Sequence, residues 1–164
     1  MKVSLLQRLV LFALLLSAQQ LQAQIKPFSL GPYLERAWLT EDHSPTHKDG
    51  LGIGLSADIR LSDRLGLTGS AGYLQFSGRS TPDGKADAVK AYPIRAGFKY
   101  RPVPFIYFKI ETGPANLKNE SGDTWLLSPG VGVRLLGLDI QGKYEVWPGK
   151  TDLNFWGLRV AFHI

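Results

Sequence analysis

The 164-residue chain has no cysteine. An exported protein of this composition forms no disulfide and carries no lipid-modified cysteine anchor. The apolar run near its start, Leu9 to Ala18, is ten residues long, too short to cross a bilayer as a helix. Beyond Gln24 there is no helical periodicity of useful length. Nor is charge concentrated anywhere: 19 Lys and Arg face 14 Asp and Glu, a net +5. The basic residues are scattered through alternating segments rather than gathered on one helix or loop, so no nucleic-acid partner is expected.

What remains describes one domain, with 44% hydrophobic and 20% charged residues, neither disordered nor fibrous. The opening stretch has Lys2 and Arg8, then the apolar run, then polar residues ending at Ala23, the layout of a cleavable secretory signal over 1–23. The domain proper is then 24–164, with 17 basic against 14 acidic residues. A buried N-terminal helix is the alternative reading of 1–23, and the flanking charges and the small residue at the cut count against it.

Eight alternating segments follow, near 28–39, 50–61, 65–77, 90–101, 105–114, 124–136, 138–147 and 154–164. Most exceed the five or six residues of an ordinary strand and match the roughly nine to eleven that a tilted strand needs to cross a membrane. Their connections alternate. Those at 62–64, 101–104 and 135–137 are short, whereas 40–50, 78–89, 116–123 and 148–153 are longer and polar, an asymmetry expected of periplasmic turns and extracellular loops.

Each segment has two unlike faces. In LDIQGKYEVW (138–147), Asp139, Gln141, Lys143 and Glu145 share one parity, and Leu138, Ile140, Tyr144 and Val146 the other. Across the chain the polar parity collects Glu35, Asp58, Arg60, Arg95, Lys99, Lys109, Glu111, Arg134, Asp139, Lys143, Glu145 and Arg159, together with glycines such as Gly52, Gly54, Gly72, Gly130, Gly132 and Gly157. Glycines on a solvated sheet surface weaken it without return. Inside a narrow eight-stranded barrel, small residues make room for long ones, so the charged face is predicted to point inward. The five acids and seven bases are expected to pair there, because a buried charge without a partner costs several kcal/mol. Trp38, Tyr73, Tyr92, Trp125, Trp147 and Trp156 near the loop ends, and Tyr100, Phe105 and Phe162 near the turn ends, are expected to form interfacial girdles.

These features resemble the small eight-stranded outer-membrane β-barrels of the OmpA/OmpX type and, in glycine-rich texture, the outer-membrane β-barrel domain proteins of Bacteroidetes-like bacteria. The most specific piece is the ending WGLRVAFHI, in which Trp156, Leu158, Val160, Phe162 and Ile164 alternate to the last residue. The resemblance implies a closed, all-β, antiparallel up-and-down barrel in the outer membrane of a Gram-negative bacterium, in contact with lipid and lipopolysaccharide. It also implies handling by the barrel-insertion machinery through residues 156–164, with Ile164 in place of the usual terminal aromatic. Members of the family serve as anchors, adhesins, solute conduits or lipid-modifying enzymes, so the fold alone does not select a function.

For chemistry, one cluster stands out: Glu41, Asp42, His43, Ser44, His47 and Asp49 in the first long loop. It admits a metal-site reading or a Ser/His/acid reading of the kind used on lipid A, against the plainer one of a solvated polar loop. No catalytic residue, metal or cofactor is assigned. The expectation is a non-enzymatic role: an occluded, charged lumen as the structural interior, with an extracellular ligand met by loops 40–50 and 78–89. A lipid A-modifying enzyme is the alternative, and a secreted lipocalin-like barrel with its faces reversed a third.

Overall fold

The computed structural model describes residues 28–40, 47–78, 80–81, 84–85, 88–118, 123–148 and 153–164. The signal segment 1–23 and Glu41, Asp42, His43 and Ser44 lie outside these residues, as does the side chain of His47. The strands in chain order are β1 (Phe28–Leu39), β2 (His47–Arg60), β3 (Leu65–Gly78), β4 (Ser80–Thr81), β5 (Gly84–Lys85), β6 (Val89–Val103), β7 (Ile106–Leu117), β8 (Asp123–Leu135), β9 (Leu138–Trp147) and β10 (Leu153–Phe162). Eight of them close an antiparallel barrel in which every strand pairs with its neighbours in chain order and β1 pairs with β10. The two short strands β4 and β5 pair separately, within the connection from β3 to β6.

The alternation is carried through to exposure. Leu34, Leu51 and Phe98 are more than 60% exposed, while Glu111 and Glu145 are wholly buried. In water this arrangement would leave a continuous apolar belt unsatisfied and bury the charges; against hydrocarbon both faces are accommodated. The lipocalin-like alternative, with apolar side chains converging and charges outside, is therefore not the arrangement adopted. The largest extensions past the predicted ends are of three residues each: β2 starts at His47 rather than 50 and β7 continues to Leu117 rather than 114, because pairings such as His47 with Gly78 and Ala91 with Leu117 carry the ladder toward the loops.

Two inward glycines show why the interior uses them. A Cβ on Gly54 would lie 2.6 Å from the Tyr33 Oη, and one on Gly72 would overlap the same oxygen. The hydroxyl end of Tyr33 therefore reaches over both strands, where any side chain would displace it.

The connection from β8 to β9 is a two-residue turn, since Leu135 pairs with Leu138. Leu136 and Gly137 have φ of 53° and 86°, the type I′ geometry that matches the twist of a hairpin and favours Asn-Gly. Leucine pays a steric cost there that asparagine largely avoids. Leu136→Asn is expected to raise unfolding stability by about 1 kcal/mol, read as a higher urea midpoint for the barrel in detergent micelles.

Candidate functional site

The lumen is filled in layers. On the loop side an apolar cap is formed by buried residues including Leu74, Phe76, Leu126, Trp147 and Phe155. Phe155 packs edge-on against both Phe76 and Trp147, with centroids 5.4 and 5.7 Å apart. Alternation puts these side chains inside because they share the parity of the inward polar residues further down their strands, as Phe155 does with Arg159 and Phe76 with Ser70.

Below the cap lie three carboxylates and four cations. The Arg95 guanidinium forks onto Glu145, its Nε donating to Oε2 at 3.1 Å and Nη2 to Oε1 at 2.7 Å. Arg159, opposite Glu35 in the β1–β10 register, donates to Glu35 Oε2 from Nε and Nη2 at 3.1 and 3.0 Å. Lys143 sits 2.7 Å from Glu35 Oε1 and also reaches Glu145. Glu111 is shared by Lys109 at 3.3 Å and Arg159 at 3.7 Å. Trp147 ties this layer to the cap by donating its indole N–H to Glu145 Oε1 at 2.7 Å.

Toward the short turns is a second ionic layer. Lys99 lies 2.6 Å from Asp58 and 3.5 Å from Asp139, and Arg134 bridges the same pair at 3.0 and 3.1 Å. Tyr107 donates its hydroxyl to Asp139 and lends its ring face to the Lys99 ammonium at 4.1 Å. Each lumen carboxylate thus touches at least two cations. That is the condition under which ions can be held out of water, since each desolvated charge needs both Coulomb partners and hydrogen bonds.

Of the twelve charges predicted for the lumen, eleven join these layers, and the twelfth, Arg60, is exposed at the turn-side rim. Trp38, Tyr92, Trp125 and Trp156 are exposed on the outer surface toward the loops, Tyr73 is half-buried against Tyr92, and Tyr100, Phe105 and Phe162 are exposed toward the turns. Trp147 requires a correction: it belongs to no girdle and is fully buried in the lumen, because in β9 it shares the parity of Glu145 rather than of Val146. In the first long loop, Asp49 pairs with Arg36 at 3.2 Å. Among the described residues no group of three or more His, Cys, Asp or Glu side chains could hold a metal ion.

Sequence reasoning overlooked two contacts inside the barrel. Tyr33, on the charged parity, lends its ring to Arg159 at 4.2 Å. Ser56 Oγ lies 3.0 Å from His163 Nε2. The companion distance from His163 Nδ1 to Asp139, 3.9 Å, is too long for a hydrogen bond, so no relayed triad is assembled.

A model of the outer membrane protein beta-barrel domain family matches residues 9–162 of this chain. Among solved structures, Ail of Yersinia pestis in a phospholipid nanodisc is similar with a TM-score of 0.61 and 16% identity over 85% of this chain and 100% of that one. The crystal structure of Ail, the attachment invasion locus protein, gives 0.56 and 18% over 84% and 96%. A de novo designed transmembrane β-barrel gives 0.57 and 16% over 85% and 98%. Comparison with curated proteins finds no match. With this interior, this belt and a family match over nearly its whole length, the chain belongs to the outer membrane protein β-barrel domain family.

Proposed function

We propose that this protein is a non-conducting, non-enzymatic anchor in the outer membrane whose longer loops, 40–50 and 78–89 foremost, meet partners outside the cell or support envelope integrity. The observation that carries the reading is the filled lumen: an apolar cap across the loop end and two ionic layers beneath it, with the lumen carboxylates committed to paired cations. A conduit needs water along its axis, and an eight-stranded barrel is only just wide enough for its own side chains.

The same reading includes export through the cleaved segment 1–23, insertion by the barrel machinery through residues 156–164 and contact of the outer belt with lipopolysaccharide. Purified protein reconstituted in a planar bilayer is expected to give a flat current. Lipid A from cells with and without the protein is expected to have the same mass spectrum. Stepwise conductance, or a changed acyl pattern, would replace the anchor reading with a channel or an enzyme.

A further inference from the structure

The turn-side mouth of the barrel carries cationic charge that the ionic layers do not absorb. Asp58 and Asp139 are balanced by Lys99 and Arg134. Arg60 and Arg101 are left over: neither makes an ion pair with any described carboxylate, Asp63 on the adjacent turn included. Yet they are held close together. Arg60 is paired across the sheet with Gly66, and the Arg101 guanidinium folds over that same glycine, its Nη2 3.4 Å from where a Cβ would stand. One strand spacing, about 4.8 Å, therefore separates the position Arg101 covers from the backbone of Arg60.

Asp58 and Asp139 attract Arg101 across the mouth without forming an ion pair with it. β3 stands between Arg60 on β2 and Arg101 on β6, yet like charges brought this near repel. The Arg101 Nε is moreover buried without a hydrogen-bond partner, and the charges that act on this guanidinium are those of Arg60 and Arg134 against Asp58 and Asp139. Two guanidinium groups that make no ion pair, carried at neighbouring positions of one rim, offer planar forks of N–H donors suited to a tetrahedral oxyanion, whose several acceptor oxygens can serve both. The surroundings set the depth: Leu61, Leu65 and Tyr100 beside the rim are 60%, 50% and 43% exposed on the outer surface, so the mouth lies where apolar belt gives way to headgroups.

We propose that Arg60 and Arg101 form a phosphate-binding site at the turn-side mouth, periplasmic in barrels of this kind. The phosphate is either the phosphodiester of a lipid in that leaflet or a soluble phosphate, which share the recognised chemistry. This site is independent of whether the lumen conducts.

The test uses the full folded barrel in non-ionic detergent, with dioleoyl phosphatidylglycerol retention followed by native mass spectrometry and inorganic phosphate binding by calorimetry. The wild type is expected to retain one lipid or bind one phosphate. Arg60→Gln with Arg101→Gln should weaken this at least about tenfold, the loss expected on removing charge-assisted hydrogen bonds. Arg64→Gln, on the same turn, should leave it unchanged. Heat-modifiable gel mobility identifies folded variants, and Arg60→Lys with Arg101→Lys, which keeps charge without the forks, should fall in between. Lipid retention that millimolar phosphate does not displace assigns the site to the headgroup; displacement assigns it to the free anion. A wild type that holds neither probe, or a folded double Gln variant that holds either as tightly, overturns the proposal.

Discussion

Replacing Glu35 with glutamine is expected to cost the barrel about 3–5 kcal/mol, the penalty for leaving buried charges without their partner. Glutamine keeps the volume of the side chain, so packing is almost untouched and the measurement isolates charge. Glu35 receives Lys143 at 2.7 Å, Arg159 at 3.0 Å and Arg95 at 3.7 Å. Without it, the layer below the cap would hold two carboxylates, Glu111 and Glu145, against four cations. Among carboxylates Arg159 would keep only its longer contact with Glu111, and Lys143 and Arg95 would compete for Glu145. Adding Lys143→Met removes one of the cations that Glu35 neutralised, and the double variant should recover much of the loss. That sign of coupling is expected of two residues in one network. Urea titration of the refolded barrel, followed by tryptophan fluorescence and gel mobility, reads the effect. A Glu35→Gln barrel as stable as the wild type would mean that water reaches this layer and screens it.

The parts of this architecture that local alternation controls were legible in the sequence. Asp139, Gln141, Lys143 and Glu145 stand two apart between apolar neighbours because the strand separates two unlike media, and glycines on their parity pointed to a crowded interior. What alternation does not carry is height along the barrel and angle around it. Glu35 lies opposite Arg159 in the closing β1–β10 pair, 124 residues apart, and meets Arg95 and Lys143 from β6 and β9. Those partners follow from how far each strand is staggered against the next, which the residues of one strand do not specify. The apolar cap was hidden for another reason. Phe76 and Phe155 follow the inward parity of Ser70 and Arg159, but a two-letter polar and apolar code assigns phenylalanine to lipid wherever it stands. Trp147 shows the same conflict, with aromatic identity pointing to a girdle and parity to the lumen. Parity prevails because a one-residue slip would turn the rest of β9 inside out.

Trp147 is also where the second large effect is expected. It is fully buried, packs its ring against Phe155 and donates its indole N–H to Glu145, so one side chain joins the apolar cap to the ionic layer. Trp147→Ala removes all of this and should cost about 3–5 kcal/mol, as large-to-small core replacements of aromatics do. Trp147→Phe separates the two contributions. It restores most of the apolar volume and loses the hydrogen bond to a carboxylate, a loss of about 1.5–3 kcal/mol for a charged acceptor. Glu145 would retain Arg95 and Lys143, which places the phenylalanine variant toward the lower end of that range. Urea midpoints in detergent should therefore rank wild type, then Trp147→Phe, then Trp147→Ala. If the side chain lay in a girdle instead, phenylalanine would be nearly neutral and alanine would cost only its lipid-facing area, so the spacing of the three midpoints distinguishes a lumen tryptophan from an interfacial one.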